Sequence, residues 1–508
     1  MKKTFNKNIA TVSSLTGISR VLGLIRDVVI AWLLGAGPLA DAFFVAFRIP
    51  NMLRRLSAEG ASNVAFIPVF NETLEKEGLA RAMAMARSVI TLMLLVLGVI
   101  VVIGEFIAPL IVGIIAPGFL HTPTFDMALH LTRIMFPYIL LVSILALIAG
   151  VLNSLGHFAA PAAAPIVLNI FMIATPIIFY KYIPFLKSPA DAIAWGVITG
   201  GLFQIALQIP PLKRLKVNIR LSFRFKDPRI IQIAKLMGVA ALVASVYQIN
   251  VLVGTLLASF LPRGSISFLY YANRLIELPL GVFAFAVGNV MLPAMSQASA
   301  KMNISEMSSL TGKSINAVLL FTIPASIGIF VLADPIITLL FVRGNFSYQE
   351  ALSTAQALRM YAIGLWAIGA SRILTQAFYA MQQANTAVRV AWATLGLNVV
   401  FCLILMPSMK HSGIALASTI SIIIQTIILL FLLSKKGMII SSIYYLYCTK
   451  MVISGALMAL CIYPLLRTRF WVHGLNTHSL LMLGASIGIG AASYFALLWI
   501  TGIRQIKD

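Results

Sequence analysis

Seven arginines lie in stretches whose other residues are mostly apolar: Arg20, Arg26, Arg48, Arg54, Arg55, Arg274 and Arg372. The same stretches hold four acids, Asp27, Asp41, Glu59 and Glu277, so seven less four leaves a surplus of three positive charges. An arginine facing lipid at the centre of a bilayer costs about 2.5–3.5 kcal/mol on insertion scales, so several are tolerable only in pairs or in a hydrated cavity. Arg55 with Glu59 and Arg274 with Glu277 stand at helical pairing distances, and such pairs could simply hold helices in register. That reading fails for the whole set, because the surplus needs an anionic partner or an exit to water. The planar guanidinium suits phosphate oxygens held bidentately and stays charged when partly dehydrated. A diphosphate matches the surplus. A cavity for a cationic drug would carry the opposite bias, with carboxylates in excess.

The spacing groups these residues. On a helical projection Asp41, Arg48, Asn51, Arg55 and Glu59 fall within roughly 80° of one another, one polar stripe on an apolar helix. Ser267, Arg274 and Glu277 form a shorter stripe further on, while Arg20, Arg26 and Asp27 lie in "SRVLGLIRD". No catalytic constellation is present. The six histidines cluster near predicted helix ends without an H-x-x-x-H pattern, and no G-x-x-x-x-G-K-[ST] loop occurs. No enzyme chemistry, bound metal or cofactor is expected, and nucleotide hydrolysis by this chain is not the energy source.

The elements that position the charges are membrane helices. Of 508 residues 60% are hydrophobic and only 10% charged, and the mean hydropathy is +0.97. Apolar windows of about 20 residues recur from end to end, each long enough to span a bilayer as a helix, and a transmembrane barrel would alternate instead. The expected class is an all-α polytopic membrane protein with about 14 transmembrane helices, at 10–35, 38–70, 84–115, 130–153, 160–182, 189–212, 230–260, 267–298, 312–340, 352–381, 386–406, 411–434, 443–466 and 478–503. The basic start "MKKTFNKNIA" opens a first membrane helix, not a cleaved leader. The formal charge of +23 does not imply nucleic acid. Its densest run, "KRLKVNIRLSFRFKDPR" (213–229), sets seven basic residues against one acid between two apolar spans, as a cytoplasmic loop does. Both termini are then expected on the cytoplasmic side. Cys402, Cys448 and Cys461 are read as small hydrophobes in apolar surroundings.

The chain repeats itself. A shift of 226 residues lays "FVAFRIPNML" (44–53) on "YYANRLIELP" (270–279), so that Asp41, Arg48 and Asn51 meet Ser267, Arg274 and Glu277. Asn63-Val64 meets Asn289-Val290, Pro109 meets Pro335, and Gly118 meets Gly344; further on a shift of 229 matches Leu168-Asn169 with Leu397-Asn398. Each copy holds an even number of spans, so the expectation is two parallel six-helix repeats plus two extra C-terminal helices, with a site between the repeats near the midplane. The expected division is 1–212 (first lobe), 213–229 (basic cytoplasmic linker), 230–434 (second lobe) and 435–508 (the last two spans). Gly23, Gly35, Gly37 and Pro50 either form a gate or hinge or permit close packing. Asn153, Asn169, Gln382 and Asn398 are read as interhelical hydrogen bonders and not ligands.

"SRVLGLIRD", "ADAFFVAFRIPNMLRRLSAEGA", "FPYILL" and "YYANRLIELPLGVFAFAVGNVMLP" together closely resemble the MurJ (MviN) family, bacterial lipid II flippases of the multidrug/oligosaccharidyl-lipid/polysaccharide exporter superfamily. The resemblance covers essentially the whole chain. It implies an inner-membrane flippase, by alternating access, for the undecaprenyl-pyrophosphate-linked peptidoglycan precursor. It implies a central cavity between two six-helix lobes, and a groove for the lipid tail made by the last two spans. On the matching motifs Arg20, Arg26, Arg54, Arg274 and Asp41 correspond to substrate-binding positions, with Arg26, Arg54 and Arg274 on the diphosphate and Asp41 at a gate or a sugar–peptide contact. Arg48, Asn51, Arg55, Glu59, Ser267, Glu277 and Arg372 are assigned to the cavity or gate. A coupling ion or the membrane potential is expected to reset the carrier, and membrane lipids and cell-wall synthesis proteins are the expected partners. Asn273 stands where the family commonly has an acid ("YADR"), which removes one ion partner for Arg274. The alternatives are a flippase for another polyprenyl-diphosphate saccharide, or a membrane-embedded glycosyltransferase using the same lipid.

Overall fold

A computed structural model describes residues 2–54, 65–218, 220–438, 441–466 and 476–502. Among these residues the chain is all-helical, with only an isolated bridge between Arg343 and Phe346 outside the helices. It divides into two compact units, Met1–Arg263 and Gly264–Asp508.

The first unit contains α1 (Lys2–Leu34), α2 (Pro38–Arg54), α3 (Ile67–Ile115), α4 (Pro123–Met135), α5 (Tyr138–Ser154), α6 (Ala159–Ala174), α7 (Pro189–Arg214) and α8 (Pro228–Ser259). Here α6 packs on α1 and α7, α2 on α4, and α3 on α5 and α8. Phe66, Phe70, Met85, Val89, Val151 and Ile230 form a buried apolar cluster at one end. Polar side chains bind the helices where the bilayer offers no water: Gln204 Nε2 donates to the Ala164 carbonyl at 2.9 Å, and Gln208 Nε2 to the Ala160 carbonyl at 3.0 Å. Ser188 and Asp191 close a capping box at the start of α7, and the Asp227 carboxylate caps α8 through the Arg229 N–H.

The second unit contains α9 (Ser265–Pro279), α10 (Phe285–Ala300), α11 (Ile304–Val331), α12 (Ala333–Phe341), α13 (Tyr348–Ala380), α14 (Ala384–Ser434), α15 (Ser442–Leu466) and α16 (Thr477–Ile500). The helix α13 is central, touching α9, α11, α12 and α14. The helices outside the repeat, α15 and α16, pack on one another and α15 on α11, around Leu319, Ile323, Met458, Ile462 and Tyr494.

Several expected spans are broken by identifiable residues. The stretch 130–153 is interrupted at Phe136-Pro137, where proline supplies no N–H, and α4 reaches back to Pro123. A wide, π-type turn at Leu280–Ala284 follows Pro279 and joins α9 to α10. The spans expected at 386–406 and 411–434 lie in α14 as two helical segments, divided at Lys410, whose φ of 52° and ψ of −133° are not helical. The helix α3 extends back to Ile67 through a kink at Gly78, whose φ of 81° suits a residue without a Cβ.

Eight helical stretches among the described residues are long and apolar enough to cross a membrane: α3, α4 with α5, α6 with its following turn, α7, α11, α14, α15 and α16. The helices that carry the arginines, α1, α2, α9 and α13, are not among them.

Candidate functional site

In the first unit the best-defined charge is Arg26 on α1, only 8% exposed beside a fully buried Asp27. Its Nε and Nη2 donate to the same Asp27 oxygen, at 3.0 and 2.7 Å, and its Nη1 donates to Asn169 Oδ1 on α6 at 3.0 Å. Asn169 completes the link by donating from Nδ2 to the Ser19 carbonyl at 3.1 Å. The interhelical hydrogen bond expected of Asn169 is present, and it reaches the arginine on which the sequence placed a diphosphate. Buried charge is tolerable when paired and hydrogen-bonded, and this cluster ties α1 to α6 by that means. Arg20, six residues earlier, is half-buried.

On α2, Asp41 is buried in the first turn, where a carboxylate meets the positive end of the helix dipole. Arg48 and Asn51 are half-buried and follow it along the stripe, on either side of Pro50. The backbone of Arg54 closes α2, while Arg55 and Glu59 lie outside the described residues.

In the second unit the stripe lies on α9. Ser267 is buried; Arg274 and Glu277 are half-buried and joined at 3.1 Å from Nη1 to Oε2, the pairing expected of their spacing. An adjoining face of α9 is held rigidly: the fully buried Tyr271 ring meets Phe341 at 5.1 Å and Phe346 at 5.6 Å, and Phe268 meets the His411 ring at 5.1 Å. An aromatic clamp on one face leaves the arginine on another in a fixed direction. Arg372 on α13 is half-buried, in a helix that packs on α9.

The two repeats are not chemically equivalent. Leu252 stands where the 226-residue shift would place Arg26. Asn398, the counterpart of Asn169, is buried and accepts from the Cys402 thiol at 3.7 Å. Within the stripe, the position common to both copies is the arginine, Arg48 and Arg274. The role of Asn169 as partner of Arg26 was missed by sequence reasoning, because no spacing rule pairs α1 with α6 across 143 residues.

Comparison with known proteins assigns the chain to a family. The family profile described as lipid II flippase MurJ matches residues 30–486. The chain is 33% identical over 505 residues to the lipid II flippase MurJ of Burkholderia cenocepacia, covering 98% of this chain and 97% of that protein. It is 34% identical over 526 residues to a probable lipid II flippase MurJ of Vibrio cholerae, covering 100% and 98%. Among solved structures it is similar to a lipid II flippase MurJ in an inward closed conformation, with a TM-score of 0.80, 27% identity, and 98% and 99% of the two chains covered. An inward-facing multidrug resistance transporter of the MATE family shares the fold at 14% identity and a TM-score of 0.66, with 84% and 97% covered. With a match that spans nearly its whole length, the chain belongs to the lipid II flippase MurJ family.

Proposed function

We propose that this chain moves lipid II, the undecaprenyl-pyrophosphate-linked peptidoglycan precursor, from the cytoplasmic to the periplasmic leaflet of the bacterial inner membrane. The observation that carries the reading is the surplus of three arginines over acids in the apolar stretches, taken over the seven arginines and four acids together, in a chain that belongs to this family. Transport proceeds by alternating access and makes or breaks no covalent bond. The diphosphate is taken by arginines that both repeats contribute, Arg274 from one and Arg20 and Arg54 from the other, with Arg26 close behind Arg20 in sequence. Arg26 is already engaged by Asp27 and Asn169, so its main work is to fix α1 against α6. Asp41 acts at the gate or on the sugar–peptide headgroup. Arg48, Asn51, Arg55, Glu59, Ser267, Glu277 and Arg372 complete the polar lining. Both termini are cytoplasmic, the last two spans hold the polyprenyl tail, and a coupling ion or the membrane potential resets the empty carrier.

The test is exposure of lipid II at the outer leaflet of cells depleted of this protein, read with an impermeant enzyme that cleaves only the exposed headgroup. Depletion should raise protection from cleavage, and a wild-type copy but not Arg274→Ala should reverse it. Unchanged exposure in cells lacking any other flippase would assign the arginines to a different anionic lipid.

A further inference from the structure

The basic segment after α7 is not used by the transport reading, yet it is fastened at a defined depth. Arg87 is the last charged residue of α3 before the uncharged run 88–104. The segment is bonded to that boundary: Arg87 Nε donates to the Asn218 carbonyl at 2.7 Å, the Ser88 and Ser222 hydroxyls lie 2.9 Å apart, and the Ser222 N–H donates to Thr91 Oγ1 at 2.9 Å. Val217 is buried in the apolar cluster beneath. Beyond it Arg81 Nη2 pairs with Asp227 Oδ2 at 2.7 Å and Arg229 pairs with Glu77, so the only acid of the segment is engaged. Residues 218 and 222 are therefore held along α3 where its apolar run begins.

Its outward side is unusual for a solvated loop. Ser222 turns toward α3, while Leu221 and Phe223 beside it are 63% and 64% exposed. Arg220, Arg224 and Lys226 are exposed around them. The exposed apolar face of α3 itself starts at Leu95 and runs through Val96 and Val99. Leu95 lies four residues past Thr91, about 6 Å along the helix. The exposed leucine and phenylalanine thus stand one turn from the lipid-facing surface, ringed by cations. Apolar side chains seated among basic ones at the membrane boundary match the cytoplasmic leaflet, whose anionic headgroups attract juxtamembrane cations while the acyl region accepts the rings.

We infer that residues 220–226 are a leaflet anchor: Leu221 and Phe223 insert at the acyl boundary, and Arg220, Arg224 and Lys226 bind the phosphates of anionic phospholipids. The anchor rests on the cytoplasmic placement of this loop and not on the identity of the transported lipid. It would hold the cytoplasmic end of the first unit at fixed depth through its tether to α3.

The test uses the full chain in lipid nanodiscs, with Cys402, Cys448 and Cys461 replaced by serine and a nitroxide attached at Phe223→Cys, or at Lys76→Cys as the water-exposed control. Collision with oxygen and with a water-soluble nickel chelate reads depth. In discs containing phosphatidylglycerol the label at 223 should favour oxygen, with nickel collision several-fold below that at 76. Arg220→Gln/Arg224→Gln/Lys226→Gln, or discs of phosphatidylcholine alone, should raise nickel collision several-fold. Nickel collision at 223 equal to that at 76 in both lipids would overturn the anchor. Low collision with both reagents would overturn it in favour of a protein cover, and equal burial in both lipids would overturn the assignment to anionic phospholipid.

Discussion

Arg26 on α1 and Asn169 on α6 are joined by a 3.0 Å hydrogen bond across 143 residues, with Asp27 taking two further donors of the same guanidinium. A charge this deeply buried is stable only while its partners remain, so the geometry ranks the partners. Asp27→Ala removes the carboxylate that takes two donors of a buried guanidinium and should destabilise the fold by about 3–5 kcal/mol. Asn169→Ala removes one neutral acceptor and should cost about 1–3 kcal/mol. Thermal unfolding of the purified variants in detergent measures the order, and an Asn169→Ala protein less stable than Asp27→Ala would contradict it.

Arg274 differs in kind, being half-buried and paired to Glu277 on its own helix. Arg274→Ala should abolish complementation of a depleted strain while membrane levels stay normal. Glu277→Gln should leave partial growth, because it removes a partner of the arginine and not the cation. Quantitative immunoblots beside growth curves separate lost function from lost protein; wild-type growth of Arg274→Ala would sink the assignment.

The aromatic clamp on α9 predicts a structural phenotype at a distance from any charge. Phe346 is 1% exposed and packs edge-on against Tyr271 and at a tilt against Phe341. Phe346→Ala should destabilise by about 3–5 kcal/mol, the range for removing a buried phenylalanine side chain. Phe346→Leu should recover much of that loss. Melting temperatures and the temperature at which each variant still complements test the order.

Gly118 offers a contrast of mechanism. Its N–H donates to Ser259 Oγ at 3.0 Å, and a Cβ at this position would collide with the Ser259 carbonyl on α8. Backbone cannot swing aside as a flexible side chain does, so Gly118→Ala should cost about 1–3 kcal/mol or more. Ser259→Ala removes this hydrogen bond, worth about 0.5–1.5 kcal/mol, and the local one its Oγ donates to the Leu256 carbonyl at 2.6 Å, but introduces no clash. Equal stability of the two variants would show that the chain there yields easily.

The sequence by itself determined the class, because hydrophobic run length is set by bilayer thickness and read directly from composition. It also determined the repeat, and with it the equivalence of Arg48 and Arg274, since a common fold keeps like residues at like offsets. Pairs within a helix were legible for the same reason: Arg274 and Glu277 are three apart and meet on one face.

What only the tertiary structure decided were contacts between distant elements. No periodicity links Arg26 to Asn169, or Ser222 to Ser88, because such pairs depend on which helices become neighbours and at what height. The repeat even misleads at this level. Gly118 and Gly344 occupy equivalent positions, yet Gly118 is needed for the close approach of Ser259, and Gly344 for a φ of 57°. A shift in sequence preserves residue type; the physical reason for that residue belongs to the neighbours the fold supplies.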